Sequence, residues 1–131
     1  MKIRDALLLS VLAATQLASC RNVGDAGQFH VESIAKVVDT SAPDHEMCDM
    51  LSLTAAEVVT YFSVADEVDD FSFNRDAIIL PCKYEGTLKL GRDILQWEIY
   101  AGGAGYLYRG KSLDKRYLCR KRCCDTLAQL C

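Results

Sequence analysis

The chain has 131 residues, 50% of them hydrophobic and 25% charged, which is the balance of one globular domain and excludes a disordered segment. Its formal net charge of −3 gives no global basis for nucleic-acid binding. The departure from average is its seven cysteines, which mean metal or redox chemistry in a reducing compartment and a disulfide framework in an exported chain.

The N-terminus bears on that choice. Lys2 and Arg4 make a short basic start, weakened by Asp5, and Ala6 to Ala14 then run apolar except for Ser10 before Thr15 and Gln16 close the stretch. This is signal-peptide length and too short to span about 30 Å of hydrocarbon. A buried N-terminal helix is the rival, and it does not account for the small residues at the end. That end reads Leu17-Ala18-Ser19-Cys20, a branched residue and two small ones before a cysteine. It resembles the lipobox of bacterial lipoprotein precursors, a resemblance confined to residues 1–20. The resemblance implies that residues 1–19 are removed, that the Cys20 sulfur takes a diacylglyceryl group and that the new amino group is acylated. Several acyl chains on one residue anchor stably where a single chain binds only marginally. Arg21 stands where the family's inner-membrane retention signal shows Asp. The implied location is therefore the bacterial cell envelope, lipid-anchored, with the outer membrane facing the periplasm favoured.

Without Cys20, six cysteines remain: Cys48, Cys82, Cys119, Cys123, Cys124 and Cys131. An even remainder suits three disulfides, and the spacing leaves their pairing open. A zinc site on the dense C-terminal group is the rival. It lacks a C-x2-C pair, and His30 and His45 lie far away in sequence. Adjacent Cys123 and Cys124 point in different directions in most backbone conformations, so different partners are expected for them.

Residues 20–28, with Gly24 and Gly27 among charged and amide groups, read as a tether, and 29–131 as a single globular domain. Between Phe29 and Val38 the period is ambiguous: Phe29 and Val31 alternate, whereas Ile34, Val37 and Val38 have helical spacing. Thr40 to Asp44 form a loop. Thr54-Ala55-Ala56-Glu57 is a capping box, Leu53 and Val58 stand where a hydrophobic staple places them, and Val58, Tyr61, Phe62 and Ala65 make the apolar stripe of an amphipathic helix. Asp66, Glu67, Asp69 and Asp70 oppose the negative end of its dipole, so the helix is expected to stop near Asp66, with this acidic group as a solvated helix end rather than a calcium loop. From Ile78 the pattern is that of strands. Tyr84 to Leu90, a Gly91-Arg92-Asp93 turn and Ile94 to Ala101 come first, with Leu95, Trp97 and Ile99 on one face and Gln96, Glu98 and Tyr100 on the other. Tyr106-Leu107-Tyr108, a turn at Gly110 and Arg116 to Cys119 follow, and Asp125 to Leu130 read as a short helical turn. The expected fold is α+β: one amphipathic helix on a small antiparallel meander of about four strands, stapled by disulfides.

Ala101-Gly102-Gly103-Ala104-Gly105 lacks the following helix that a dinucleotide loop requires and reads as a hairpin or bulge. No H-E-x-x-H, G-x-S-x-G or P-loop occurs. No catalytic residue, cofactor or metal is assigned. Tyr100, Tyr106 and Tyr108 flank the glycine run, and clustered tyrosines combine apolar area with a hydroxyl. Charge is split along the chain: residues 22–101 carry five basic and fifteen acidic side chains, net −10, and residues 102–131 carry seven basic and two acidic, net +5. The basic end either docks on anionic lipid or an acidic partner, or folds against the acidic half of its own domain. The candidate partner-binding residues are Tyr100, Tyr106, Tyr108, Arg116, Arg120 and Arg122. The expectation is an envelope lipoprotein that binds another envelope protein without catalysis, as an inhibitor, immunity-like factor or assembly subunit. A thiol/disulfide protein using the C-terminal cysteines and a purely structural lipoprotein are the alternatives.

Overall fold

The computed structural model describes residues 29–131; the segment 1–19, Cys20 and the tether to residue 28 lie outside the described residues. The chain forms β1 (Phe29–Val31), β2 (Ala35–Val38), a 3-10 turn (His45–Met50), α1 (Ala55–Val64), β3 (Asp66–Val68), α2 (Asp70–Asp76), β4 (Cys82–Leu90), β5 (Asp93–Tyr100), β6 (Ala104–Arg109), β7 (Ser112–Leu118), α3 (Lys121–Thr126) and a last 3-10 turn (Ala128–Leu130).

The capping box at the start of α1 closes in both directions: the Thr54 N–H donates to Glu57 Oε2 at 2.8 Å, and the Glu57 N–H donates to Thr54 Oγ1 at 3.2 Å. The apolar stripe then puts Val58, Tyr61 and Phe62 into the core. They pack on the sheet face that carries Leu88, Leu95, Trp97, Ile99, Leu107 and Tyr117. Cys123, Leu127 and Leu130 from the C-terminal segment join the same core. Trp97, the single tryptophan, is fully buried, and its indole N–H has no hydrogen-bond partner among the described residues.

The sheet is antiparallel with seven strands in the order β1-β4-β5-β6-β7-β3, β2 also pairing with β4. This corrects the expectation of about four strands and a single helix. The meander β4 to β7 is the part that alternation reveals. The additional strands are edges of three or four residues, too short to show a period. β1 and β2 lie end to end along β4, and between them the N–H groups of Glu32 and Ser33 both donate to the Thr87 carbonyl, at 2.9 and 3.3 Å. That bulge shifts the register, so the apolar positions of 29–38 fit neither template. The acidic stretch after α1 is also not a solvated helix end. Asp66–Val68 pairs with β7 as an edge strand, and the Asp69 side chain accepts from the Ser72 N–H at 2.7 Å to cap α2.

Three disulfides staple the domain: Cys48–Cys82, Cys119–Cys123 and Cys124–Cys131. The first joins the 3-10 turn to the start of β4, and the other two hold α3 and the terminus. Adjacent Cys123 and Cys124 take different partners. No helix among the described residues is long and apolar enough to cross a membrane.

Candidate functional site

Because α1 covers one face of the sheet, alternation sends the intervening side chains of the central strands to the other. In the register of β4, β5 and β6, Lys83 lies opposite Tyr100, Glu85 opposite Glu98, Glu98 opposite Tyr106 and Gln96 opposite Tyr108. Tyr100, Tyr106 and Tyr108 form a row on this face, with ring centroids 6.1 and 5.8 Å apart. Phe73 of α2 backs Tyr106 at 4.9 Å and covers one end of the face.

Facing carboxylates such as Glu85 and Glu98 repel one another across a strand pair. Lys83 relieves this by bridging them, its Nζ 3.0 Å from Glu85 and 3.4 Å from Glu98. The same Nζ sits 5.5 Å from the centroid of the Tyr100 ring, a cation–π distance. Partial burial pulls the Lys83 ammonium toward neutrality, but the hydrogen bond to Glu85 and the charge of Glu98 outweigh it and hold the ammonium above its ordinary range. The Tyr100 hydroxyl donates to Glu98 Oε2 at 3.1 Å. Beside the row, a depression of about 820 Å³ is lined by Glu85, Thr87, Gln96, Glu98, Tyr108 and Lys111.

Burial, and then the negative charge of Glu98, raises the Tyr108 phenol to about 12. Burial and Glu98 raise Tyr100 as well, while for Tyr106 burial outweighs the opposing pull of Arg116. All three remain neutral hydroxyls at physiological pH and offer a ring face with a donor and acceptor at its tip.

The basic end is largely matched within the domain. Lys115 pairs with Glu67 at 3.5 Å, Arg116 with Asp70 at 3.2 Å and Arg120 with Asp76 at 2.8 Å, so the acidic stretch after α1 faces the basic strand β7. Exposed pairs of this kind contribute up to about 1 kcal/mol each, so what they decide is where the charge goes. Of the three candidate arginines, Arg116 is the one set beside the tyrosines, opposite Tyr106 in the sheet. Arg120 is tied to Asp76 at the end of α2. Arg122 is exposed on α3 and, with Lys111 and Lys121, makes no ion pair among the described residues. His30 is exposed on β1 and His45 Nδ1 lies 2.8 Å from the Ala42 carbonyl.

The tyrosine cluster is visible in the sequence, whereas Lys83 and Glu85, which strand pairing brings beside it, were not singled out there. The signal was available: a two-residue turn at Gly91 and Arg92 fixes the register of β4 on β5 and thereby places Glu85 opposite Glu98.

Alkaline unfolding is expected from the raised phenols on both faces of the sheet. Tyr117 is raised to about 12 by burial and by Glu67 and Asp114, and burial lifts the fully buried Tyr61 well above 10.0. A phenol whose pKa is higher in the folded chain stabilises the fold below the unfolded value of 10.0. That contribution is lost as pH rises from 10.0 toward about 12, because the unfolded chain gives up its protons first. Denaturant midpoints followed by Trp97 fluorescence should fall steeply across this window. A midpoint that stays flat to pH 12 would contradict the raised phenols.

No protein family, characterised protein or solved structure matches the chain detectably.

Proposed function

We propose that the protein is a non-enzymatic binding module of the bacterial envelope, tethered through Cys20, whose docking surface is the tyrosine face of the sheet. The observation that carries this reading is the row Tyr100–Tyr106–Tyr108 on the side of the sheet away from α1, next to a depression rimmed by Glu85, Gln96, Glu98 and Lys111. Tyrosines of this kind supply large contact area with few torsions to freeze, and the half-buried Lys83, Glu85 and Glu98 provide a pre-oriented polar patch beside them. The Cys20 anchor and the envelope location rest on the resemblance of residues 1–20 to lipoprotein precursors. An inhibitor, an immunity-like factor and an assembly subunit all use such a surface in the same way.

The test compares proteins captured from envelope extract by the wild-type chain, Tyr108→Ala and Arg120→Ala. Loss of a captured protein by Tyr108→Ala at unchanged Trp97 emission, with Arg120→Ala retaining it, is the expected result, because Arg120 is spent on Asp76. A hot-spot tyrosine should weaken binding by about 2 kcal/mol, roughly thirtyfold. Retention of every captured protein by Tyr108→Ala would remove the tyrosine face as the docking surface.

A further inference from the structure

The two C-terminal disulfides lie against each other. Cys131 Sγ is 3.7 Å from Cys119 Sγ, although neither is the other's partner, and the sulfurs of Cys119, Cys124 and Cys131 all lie within 4.8 Å of one another. Their exposure is graded: Cys131 is exposed, Cys119 and Cys124 are partly covered, and Cys123 is fully buried in the core. By contrast, the remaining disulfide, Cys48–Cys82, is buried at both sulfur-bearing residues. Arg120, Lys121 and Arg122 fill the chain between Cys119 and Cys123, and Lys121 and Arg122 make no ion pair among the described residues. Positive charge beside a disulfide attracts an anionic thiol and stabilises a departing thiolate.

We infer that Cys119–Cys123 and Cys124–Cys131 form one thiol-exchange relay, a site of covalent attachment for a thiol-bearing molecule that delivers the resulting free thiol to buried Cys123. The incoming thiolate attacks Cys124 Sγ. A mixed disulfide forms on Cys124, the Cys124–Cys131 bond breaks, and its electron pair leaves on Cys131. The Cys131 thiolate, already 3.7 Å from Cys119 Sγ, attacks there. A Cys119–Cys131 bond forms, the Cys119–Cys123 bond breaks, and Cys123 keeps the electron pair and takes up the proton that the incoming thiol released. Attack on the more exposed Cys131 instead frees Cys124, which reaches the same acceptor and gives a Cys119–Cys124 bond with the same Cys123 thiol. Cys119 is thus the sulfur on which both routes converge, and the incoming thiol, oxidised to the mixed disulfide as Cys123 is reduced to a thiol, is the one reductant consumed.

Cys123 suits the terminal position because a buried cysteine behaves as a small apolar residue and is unreactive. Its neighbours Leu127 and Leu130 belong to the main core, so an exchange begun at the surface ends as a changed bond inside it. This inference is independent of the tyrosine face.

The test uses the disulfide-intact protein with reduced glutathione as the thiol, native-state alkylation, acid quenching, and peptide mapping without reduction. The expected product carries one glutathione, a new bond from Cys119 to Cys131 or Cys124, an intact Cys48–Cys82 bond, and a Cys123 thiol that is alkylated only after denaturation. In Cys119→Ser/Cys123→Ser, which lacks the acceptor, the released thiol should stay on Cys124 or Cys131 and be alkylated in the native state. Two results overturn the relay: no adduct before unfolding, or an adduct in the wild type with Cys119–Cys123 intact and a reactive thiol left on Cys124 or Cys131. The wild-type map decides the matter even where the double variant does not fold.

Discussion

Replacing Cys48 and Cys82 together by alanine is expected to destabilise the domain by about 4 kcal/mol, against roughly 2–3 kcal/mol for Cys124→Ala/Cys131→Ala. The two bonds span very different loops, with sequence separations of 34 and 7, and the chain entropy removed from the unfolded state grows with loop length. Burial adds to the difference, because Cys48 and Cys82 are 0% and 1% exposed and truncation leaves a gap in the main core. Small domains are stable by only about 5–15 kcal/mol, so the loss is a large share of the total. Residues 39–53 contain a single 3-10 turn, and besides this bond they are held by Leu51 and Leu53 in the main core and by Lys36, whose Nζ donates to the carbonyls of Cys48 at 2.6 Å and Leu51 at 2.8 Å. Denaturant unfolding read from Trp97 fluorescence gives both losses, and hydrogen exchange should rise first in residues 39–53 of the Cys48/Cys82 variant. Equal losses for the two variants would contradict the loop-length argument.

The difference between legible and illegible parts of this chain follows from how far apart the deciding residues are. α1 was readable because its start signal and its stripe lie within about twelve consecutive residues, and both act locally. The β4–β7 meander was readable because glycine-containing turns bracket runs long enough to alternate. β1, β2 and β3 were not readable, since each becomes a strand only when β4 or β7 offers a free edge, and that edge is fixed by residues about 50 positions away. α2 has seven residues, too few for a helical period, and its cap Asp69 is hidden in an acidic run that looked like a solvated end. The same logic holds for the site. The tyrosines were visible because they cluster in sequence. The Lys83 bridge between Glu85 and Glu98 was not, because it exists only after strand pairing. The two blocks of opposite charge were visible as blocks, and whether they meet each other or a partner depended on β3 pairing with β7.

Changing Gly105 to alanine is expected to cost about 3 kcal/mol, although it adds one methyl group to a strand. Gly105 is on β6, and its missing side chain leaves the space that the Tyr61 ring occupies. An added Cβ would stand 2.7 Å from Cε1 and 2.8 Å from Cζ, and closer still to the hydroxyl oxygen. The ring has nowhere to retreat. Tyr61 is 0% exposed, its ring meets those of Phe62 and Tyr117 at 5.1 and 6.3 Å, and its hydroxyl donates to the Gly103 carbonyl at 2.8 Å. Overpacking costs about 1–3 kcal/mol and loss of the hydrogen bond about 0.5–1.5 kcal/mol. A double-mutant cycle separates the two contributions. Tyr61→Phe alone should cost about 1 kcal/mol, but in the Gly105→Ala background it removes the atom that the new methyl meets first, so the combined loss should fall short of the sum. Additivity within about 0.5 kcal/mol would mean that the methyl is accommodated by moving the strand instead. That outcome would carry its own consequence, because Tyr106 follows Gly105 directly and faces the opposite side of the sheet. A displaced β6 would shift the tyrosine row, and Gly105→Ala would then weaken partner binding while Tyr61→Phe left it intact. A rigid β6 predicts instead that Gly105→Ala, measured below its unfolding midpoint, binds as the wild type does.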